Sequence, residues 1–442
     1  MNLITLNKFI DLKDIVVNVK LKNMFKKVVS YCFWKTKGMN MKLVEINICD
    51  YGSTGKIMFQ LAEIARLDGN VVQTFSRKWK GIKNEKKNHT YFGSFFENVV
   101  HRILGIVTGY SECFSIVGTL SLISKLQEIS PDIIHLHNLH GSYINLPILF
   151  HYIKKHNIKV VWTLHDCWSF TGHCPHFTLV KCDKWKTGCY NCPSYQEYPK
   201  SFFDNSRFMY KLKKKWFMDV KHMVLVTPSK WLSNLVEQSF LGDYPVRVIN
   251  NGIDLDIFKP MPSNFRHKYS CEDKHIVLGV AFGWGKRKGL DVFIELAKRL
   301  DKEKYQIVLV GTDDNVDKQL PDNIISIHKT QNQRELAELY TVADVFANPT
   351  REENYPTVNM ESIACGTPVI TFKTGGSPEI LDETCGSVVE CDDIDAMQKE
   401  IIRICESKPY SVKVCLKKSK SFDKNEKFKE YIRLYEVLNE QK

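Results

Sequence analysis

The chain has 442 residues, 43% of them hydrophobic, with a formal net charge of +12. That length leaves room for two domains of ordinary size, and the apolar content supplies buried cores and excludes a disordered chain. The charge fits an anionic substrate or a membrane face better than nucleic acid, because no helix-turn-helix, paired zinc-finger spacing or aromatic–basic RNA signature accompanies it. No apolar run reaches the roughly 18 residues of a spanning helix. The fourteen cysteines come without a compact apolar stretch and cleavage site at the N-terminus, which predicts a reducing cytoplasmic setting with thiols free or metal-bound.

Residues 1–40 hold eight Lys and two Asp, interleaved with apolar residues up to Phe33-Trp34-Lys35. This basic amphipathic extension either lies on the inner face of a membrane or is dispensable, since Met39 and Met41 immediately precede the first clear strand. From Met41 a strand–helix alternation begins. Leu43–Ile48 reads as a strand, Tyr51-Gly52-Ser53-Thr54-Gly55 as a tight loop, and Lys56–Leu67 as a helix. Further strands are expected at 133–137, 159–164 and 223–227.

The segment Thr163-Leu164-His165-Asp166 ends a strand with ionisable groups, and a strand-end His facing a cleft can bind a hydroxyl or relay a proton. His135, His137 and His140 alternate near another strand end and read as a packed polar rim, with His140 the best placed for an acceptor. An insertion over 173–192 carries Cys174, Cys182, Cys189 and Cys192. Four thiolates can close a tetrahedral zinc site that stiffens a loop, although only one pair has the short chelate spacing, so free thiols and disulfides stay open. The aromatic–basic stretch 202–217 reads as an amphipathic helix with solvated lysines, or else as a face for a membrane or lipid diphosphate.

Val246–Ile249 leads into Asn250-Asn251-Gly252-Ile253-Asp254, a turn-rich hinge candidate. The pattern then restarts, with strands expected at 276–281, 305–310, 324–327, 344–347 and 368–372. Two successive α/β units, 41–245 and 246–424, predict paired doubly wound Rossmann-like domains facing an interdomain cleft. Gly283-Trp284-Gly285-Lys286-Arg287-Lys288-Gly289 follows a strand and opens a helix, joining backbone freedom to phosphate-neutralising cations. Thr374-Gly375-Gly376-Ser377 is a second such turn. Between them lies Glu353-Asn354-Tyr355-Pro356-Thr357-Val358-Asn359-Met360-Glu361, with Pro356 at a helix start and Gly366 just past its end. A helix N-terminus favours a phosphate, and carboxylates accept hydrogen bonds from sugar hydroxyls.

This last segment resembles the E-x7-E motif of retaining GT-B glycosyltransferases of family 4, the glycosyl transferases group 1, over about residues 41–442. The resemblance implies a nucleoside-diphosphate sugar donor contacted by Glu353 at the sugar and Glu361 at the ribose. It implies further donor contacts from Tyr355, Thr357, Val358, Gly375 and Gly376, and from the first-domain glycine loop, Gly52, Ser53 and Gly55. His165 matches a family His near the anomeric centre, and Lys288 the family's diphosphate Lys. The helix at 425–442 is expected to cross back onto the first domain. Catalysis is expected to need no metal cofactor. The acceptor implied is a glycan or lipid-linked oligosaccharide in extracellular or capsular polysaccharide assembly. The family's Arg falls on Gly283, so Arg287 or Lys286 must supply that charge. That departure motivates a rival reading, a non-catalytic scaffold; a nucleotide-sugar epimerase is the other.

Overall fold

The computed structural model describes residues 40–79 and 86–440. The basic extension expected over 1–40 therefore lies outside the described residues, apart from Asn40.

Two parallel sheets organise the chain. The first runs β3-β2-β1-β4-β5-β6-β7, built from Lys42–Asn47 (β1), Val71–Arg77 (β2), His89–Phe92 (β3), Ile133–Leu136 (β4), Lys159–Thr163 (β5), Met223–Thr227 (β6) and Val246–Val248 (β7). The second runs β10-β9-β8-β11-β12-β13, from His275–Val280 (β8), Tyr305–Val310 (β9), Ile324–Ile327 (β10), Val345–Asn348 (β11), Val369–Phe372 (β12) and Gly386–Val389 (β13). Every residue of β4, β6, β11 and β12 is buried. Helices cover both faces of such parallel sheets, so these strands are mostly apolar, with single polar residues such as His135 and Asn348.

Two expectations shift. β7 pairs with β6, Leu225 against Val246, so the first sheet continues past the expected boundary at 245. The helix expected from Lys56 starts at Gly52 instead. Its first turn packs so tightly on the preceding chain that a Cβ on Gly55 would lie 2.8 Å from the Asp50 carbonyl carbon. The glycines permit a helix start there, not only a loop.

The final helix, Lys424–Glu440, returns to the first domain. Phe428, Tyr431, Ile432, Tyr435 and Leu438 recur at helical spacing and pack with Met41, Leu61, Ala65 and Val161. The two chain crossings run side by side: Ile253 N donates to Phe422 O at 2.8 Å, and Lys424 N to Ile253 O at 3.0 Å. A Cβ on Gly252 would meet Lys424 Cα at 2.4 Å, so the crossing needs glycine. Lys424 also pairs with Asp254 at 2.6 Å. Among the described residues no helix is long and apolar enough to cross a membrane.

Candidate active site

The second-domain wall is built at the carboxyl ends of β8, β11 and β12, where an open parallel sheet places ligands. β11 ends at Asn348, and the chain loops through Glu353 into the helix Thr357–Ala364, whose N-cap is Pro356. Lys288 Nζ lies 2.5 Å from Glu353 Oε2, each side chain 21% exposed. Burial alone raises the Glu353 carboxyl, but Lys288 beside it, helped by His176 and Arg287, outweighs that and holds it below its ordinary value. Glu353 is thus a carboxylate, suited to accept from hydroxyls.

Arg351 fastens this arrangement. Its guanidinium is bidentate to Asp291 at 2.8 Å and pairs with Asp392 at 2.5 Å. It also donates to the Lys286 carbonyl, while Arg351 N donates to Arg287 O at 2.9 Å. The Lys286–Lys288 turn is therefore fixed against the Glu353 loop. The Gly375-Gly376 turn closes the other side. Gly375 has φ +55, and a Cβ there would stand 1.7 Å from Glu353 O, so no larger residue fits.

Glu361, one helical turn beyond Thr357, accepts from Tyr340 OH at 3.2 Å. Burial pushes its carboxyl up to about 7 despite Tyr340, Lys56 and Thr357. Lys56 belongs to the first domain, so the two walls face each other here. Tyr355 packs in the second domain's core at 7% exposure and anchors the loop. Thr357 and Val358 are half-buried in the first helical turn, where backbone N–H groups lack intrahelical partners.

On the first-domain wall, His165 Nε2 lies 3.1 Å from His137 Nδ1, with the rings stacked. His137 Nε2 in turn lies 3.5 Å from Glu45 Oε2, both side chains fully buried. Burial lowers both His165 and His137 to about 3, so this column presents neutral imidazole to the cleft. His135 is held by Thr163 at 2.8 Å and Tyr435 at 2.6 Å, a core role. His140 also departs from a free acceptor contact: its nitrogens meet Asp166 at 2.8 Å and Tyr198 at 3.0 Å. The rim reading holds for both.

Residues that sequence reasoning passed over join the walls. Asn354 Nδ2 donates to His165 O at 3.0 Å, and Ser229 Oγ to Asn354 Oδ1 at 2.6 Å. Glu379 accepts from Lys230 N and Trp231 N at 2.8 and 2.7 Å, capping a first-domain helix from across the cleft. Glu352 accepts from Leu179 N at 2.9 Å, so the Cys-rich insertion touches the second-domain wall. The insertion's four cysteines border one small cavity, and the neighbouring Cys192 with burial holds the Cys174 thiol well above its ordinary value. Among the described residues the donor groups gathered within 4.8 Å are Glu45–His135–His137 and Asp314–Asp317–His328, and the four cysteines do not form one. In the helix Ser206–Phe217, Lys213 is buried, not solvated: Nζ donates to Trp168 O at 2.7 Å and Thr171 O at 3.0 Å. Gly52 and Ser53 are exposed beside the cleft end of β1.

Residues 58–257 match the family described as Glycosyltransferase Family 4, and residues 264–431 match Glycosyl transferases group 1. The chain belongs to this glycosyltransferase family. It is similar to the "Putative colanic acid biosynthesis glycosyl transferase WcaC" of Escherichia coli (strain K12), at 26% identity over 274 residues, 60% of this chain. That match spans 65% of the relative's own length. Among solved structures, sucrose-phosphate synthase from Thermosynechococcus elongatus superposes with TM-score 0.68 at 18% identity, over 90% of this chain and 99% of that one. Anabaena HepE in complex with UDP and glucose gives TM-score 0.60 at 13% identity, over 90% and 100%. These likenesses establish the GT-B fold.

Proposed function

We propose that the protein transfers a sugar, with retention, from a nucleoside-diphosphate sugar to a glycan or lipid-linked oligosaccharide acceptor in polysaccharide assembly. The observation that carries this reading is the Lys288–Glu353 pair at 2.5 Å, set beside a helix N-terminus with Glu361 on the same helix. Glu353 accepts from sugar hydroxyls and Glu361 from the ribose. Lys288, Arg287 and the first-turn N–H groups of Thr357–Ala364 offset charge on the leaving diphosphate without requiring a divalent ion. The neutral His165 lies opposite, at the anomeric carbon. The acceptor oxygen bonds to that carbon on the face the diphosphate leaves, and the acceptor proton passes to the departing phosphate oxygen. The relative's description as a colanic acid enzyme supports polysaccharide context. A membrane-associated cytoplasmic location suits a lipid-linked acceptor. Within the insertion, Cys174, Cys182, Cys189 and Cys192 would hold a structural zinc ion that stiffens the ridge reaching Glu352.

The test is a donor panel. Thermal shift with UDP-, GDP-, ADP- and dTDP-sugars should single out one base, and product stereochemistry by NMR should retain the anomeric configuration. No shift with any donor, or inversion, would overturn the proposal. The scaffold reading is favoured only by Gly283, and the placement of Arg287 near Glu353 weakens it.

A further inference from the structure

The helix Phe95–Thr108 packs with its polar side inward. Asn98 and His101 are buried, Asn98 donating to Lys78 O at 3.3 Å and His101 Nδ1 meeting Ser115 Oγ at 2.6 Å. Phe96, Val100, Ile103, Leu104 and Val107 are exposed, Phe96 by 76% and Ile103 by 54%. Their spacing of four, three, one and three residues makes one continuous stripe. Val117 and Leu120 of the next helix add to the exposed apolar surface, as do Phe202 and Phe203. These last two are tied to the stripe helix by Phe202 N donating to Ile106 O at 2.8 Å. An apolar face of this kind marks a docking surface, not an ordinary exterior.

Behind the stripe opens a cavity of about 540 Å³, lined by Arg77, Trp79, Arg102, Tyr198 and Lys200 among others. Among the described residues none of its three cations is in an ion pair. Arg77 Nε and Trp79 Nε1 are buried donors without an acceptor. Two carboxylates share the lining. Glu112 is already engaged by Gly141 N and Ser142 N at 2.9 and 3.1 Å, and burial pushes it up to about 7; Glu197 is exposed, as are Arg102 and Lys200, which leaves two cations against one carboxylate at the mouth. The balance of charge suits an anion. The cavity adjoins the reaction centre: its Tyr198 meets His140, which holds Asp166, the neighbour of His165.

We propose that this cavity binds the phosphate-bearing head of a lipid-anchored acceptor while the apolar stripe rests on the bilayer that carries it. The proposal rests on the transferase reading and narrows its acceptor to a lipid phosphate or diphosphate. A second copy of the chain is the poorer occupant, because two chains of net charge +12 would bring unpaired cations together. A bilayer supplies both the apolar phase and the anion.

The test is vesicle flotation of the full chain on phosphatidylcholine alone, phosphatidylcholine with phosphatidylglycerol, and phosphatidylcholine with polyprenyl phosphate at matched surface charge. The protein should float best with polyprenyl phosphate. Arg102→Ala with Lys200→Ala should remove that preference, a drop of about tenfold for the loss of charge-assisted contacts. Phe96→Asp with Ile103→Asp should abolish flotation on every vesicle and leave the nucleotide-sugar thermal shift in place, which also shows that the variant is folded. Equal flotation on the two anionic vesicles, or a preference that survives Arg102→Ala with Lys200→Ala, overturns the headgroup site. A dimer in light scattering that Phe96→Asp dissolves overturns the membrane assignment in favour of a second copy. A missing donor shift in the wild type refutes the transferase reading by itself, since flotation is read separately.

Discussion

Asn354 reaches across the cleft to the carbonyl of His165, Nδ2 to O at 3.0 Å, while its own Oδ1 accepts from Ser229 at 2.6 Å. One side chain, next in the chain to Glu353, thus sets the spacing between the second-domain wall and the histidine opposite. The two walls form one site because this residue spans them.

Replacing Asn354 with Ala removes both bonds, each worth about 1 kcal/mol. The expected result is a fall of roughly tenfold or more in kcat/KM for the donor, with each domain still folded. Steady-state kinetics beside a thermal melt would separate these, and an unchanged kcat/KM would count against the clamp.

The charge missing at Gly283 is expected to come from Arg287. Arg287 acts electrostatically on Glu353, whereas Lys286 enters the Arg351 staple through its carbonyl, which a side-chain change leaves alone. Arg287→Ala should weaken donor binding measured by calorimetry, and Lys286→Ala should leave it near wild type. Lys288→Met should be the most damaging of the three, with kcat lower by about 10²–10³ for loss of charge stabilisation at the leaving group.

Glu361 makes the site pH-sensitive. Its folded value of about 7 stands above the ordinary 4.5, with burial as the main cause. A raised acid binds its proton more tightly when folded, so its contribution to stability is full below about pH 4.5 and is lost as pH rises through about 7. Ribose hydroxyls donate to the carboxylate form, so donor affinity should rise over the same upper range. Glu361→Gln should flatten both profiles between pH 5 and 8, to be read from melting temperature without donor and from donor affinity.

The cysteine insertion is expected to carry about one zinc ion per chain, four thiolates being a complete tetrahedral set. Elemental analysis of protein purified without chelator checks this, and Cys192→Ser should release the metal and lower the melting temperature. Four freely titrating thiols and no zinc would establish the free-thiol alternative.

Much of the second-domain wall of the cleft was legible in the chain. Glu353, Lys288, Gly375 and the helix from Pro356 all lie within short segments whose strand–turn–helix order is a local property. The Cβ clash at Gly375 explains why a glycine had to stand there. β2, β3 and β13 were not singled out, and the boundary at 245 left β7 with the second domain, although it pairs with β6. Val246-Arg247-Val248 identifies a strand, but its pairing with β6 is a non-local choice. Tyr355 has a motif position that suggests ligand contact, yet its side chain turns into the core.

The sequence by itself determined the two α/β units, the hinge near Gly252 and the spacing of the two glutamates, because periodicity and turn chemistry act over a few residues. Only the tertiary structure decided that Glu45 and His137 stand behind His165, that Asn354 closes the cleft, and that Lys213 is buried. The stripe from Phe96 to Val107 marks the limit most sharply. A period of 3.6 establishes that a helix has an apolar face, but packing against distant chain decides whether that face is covered. Here the buried partners of Asn98 and His101 turned it outward.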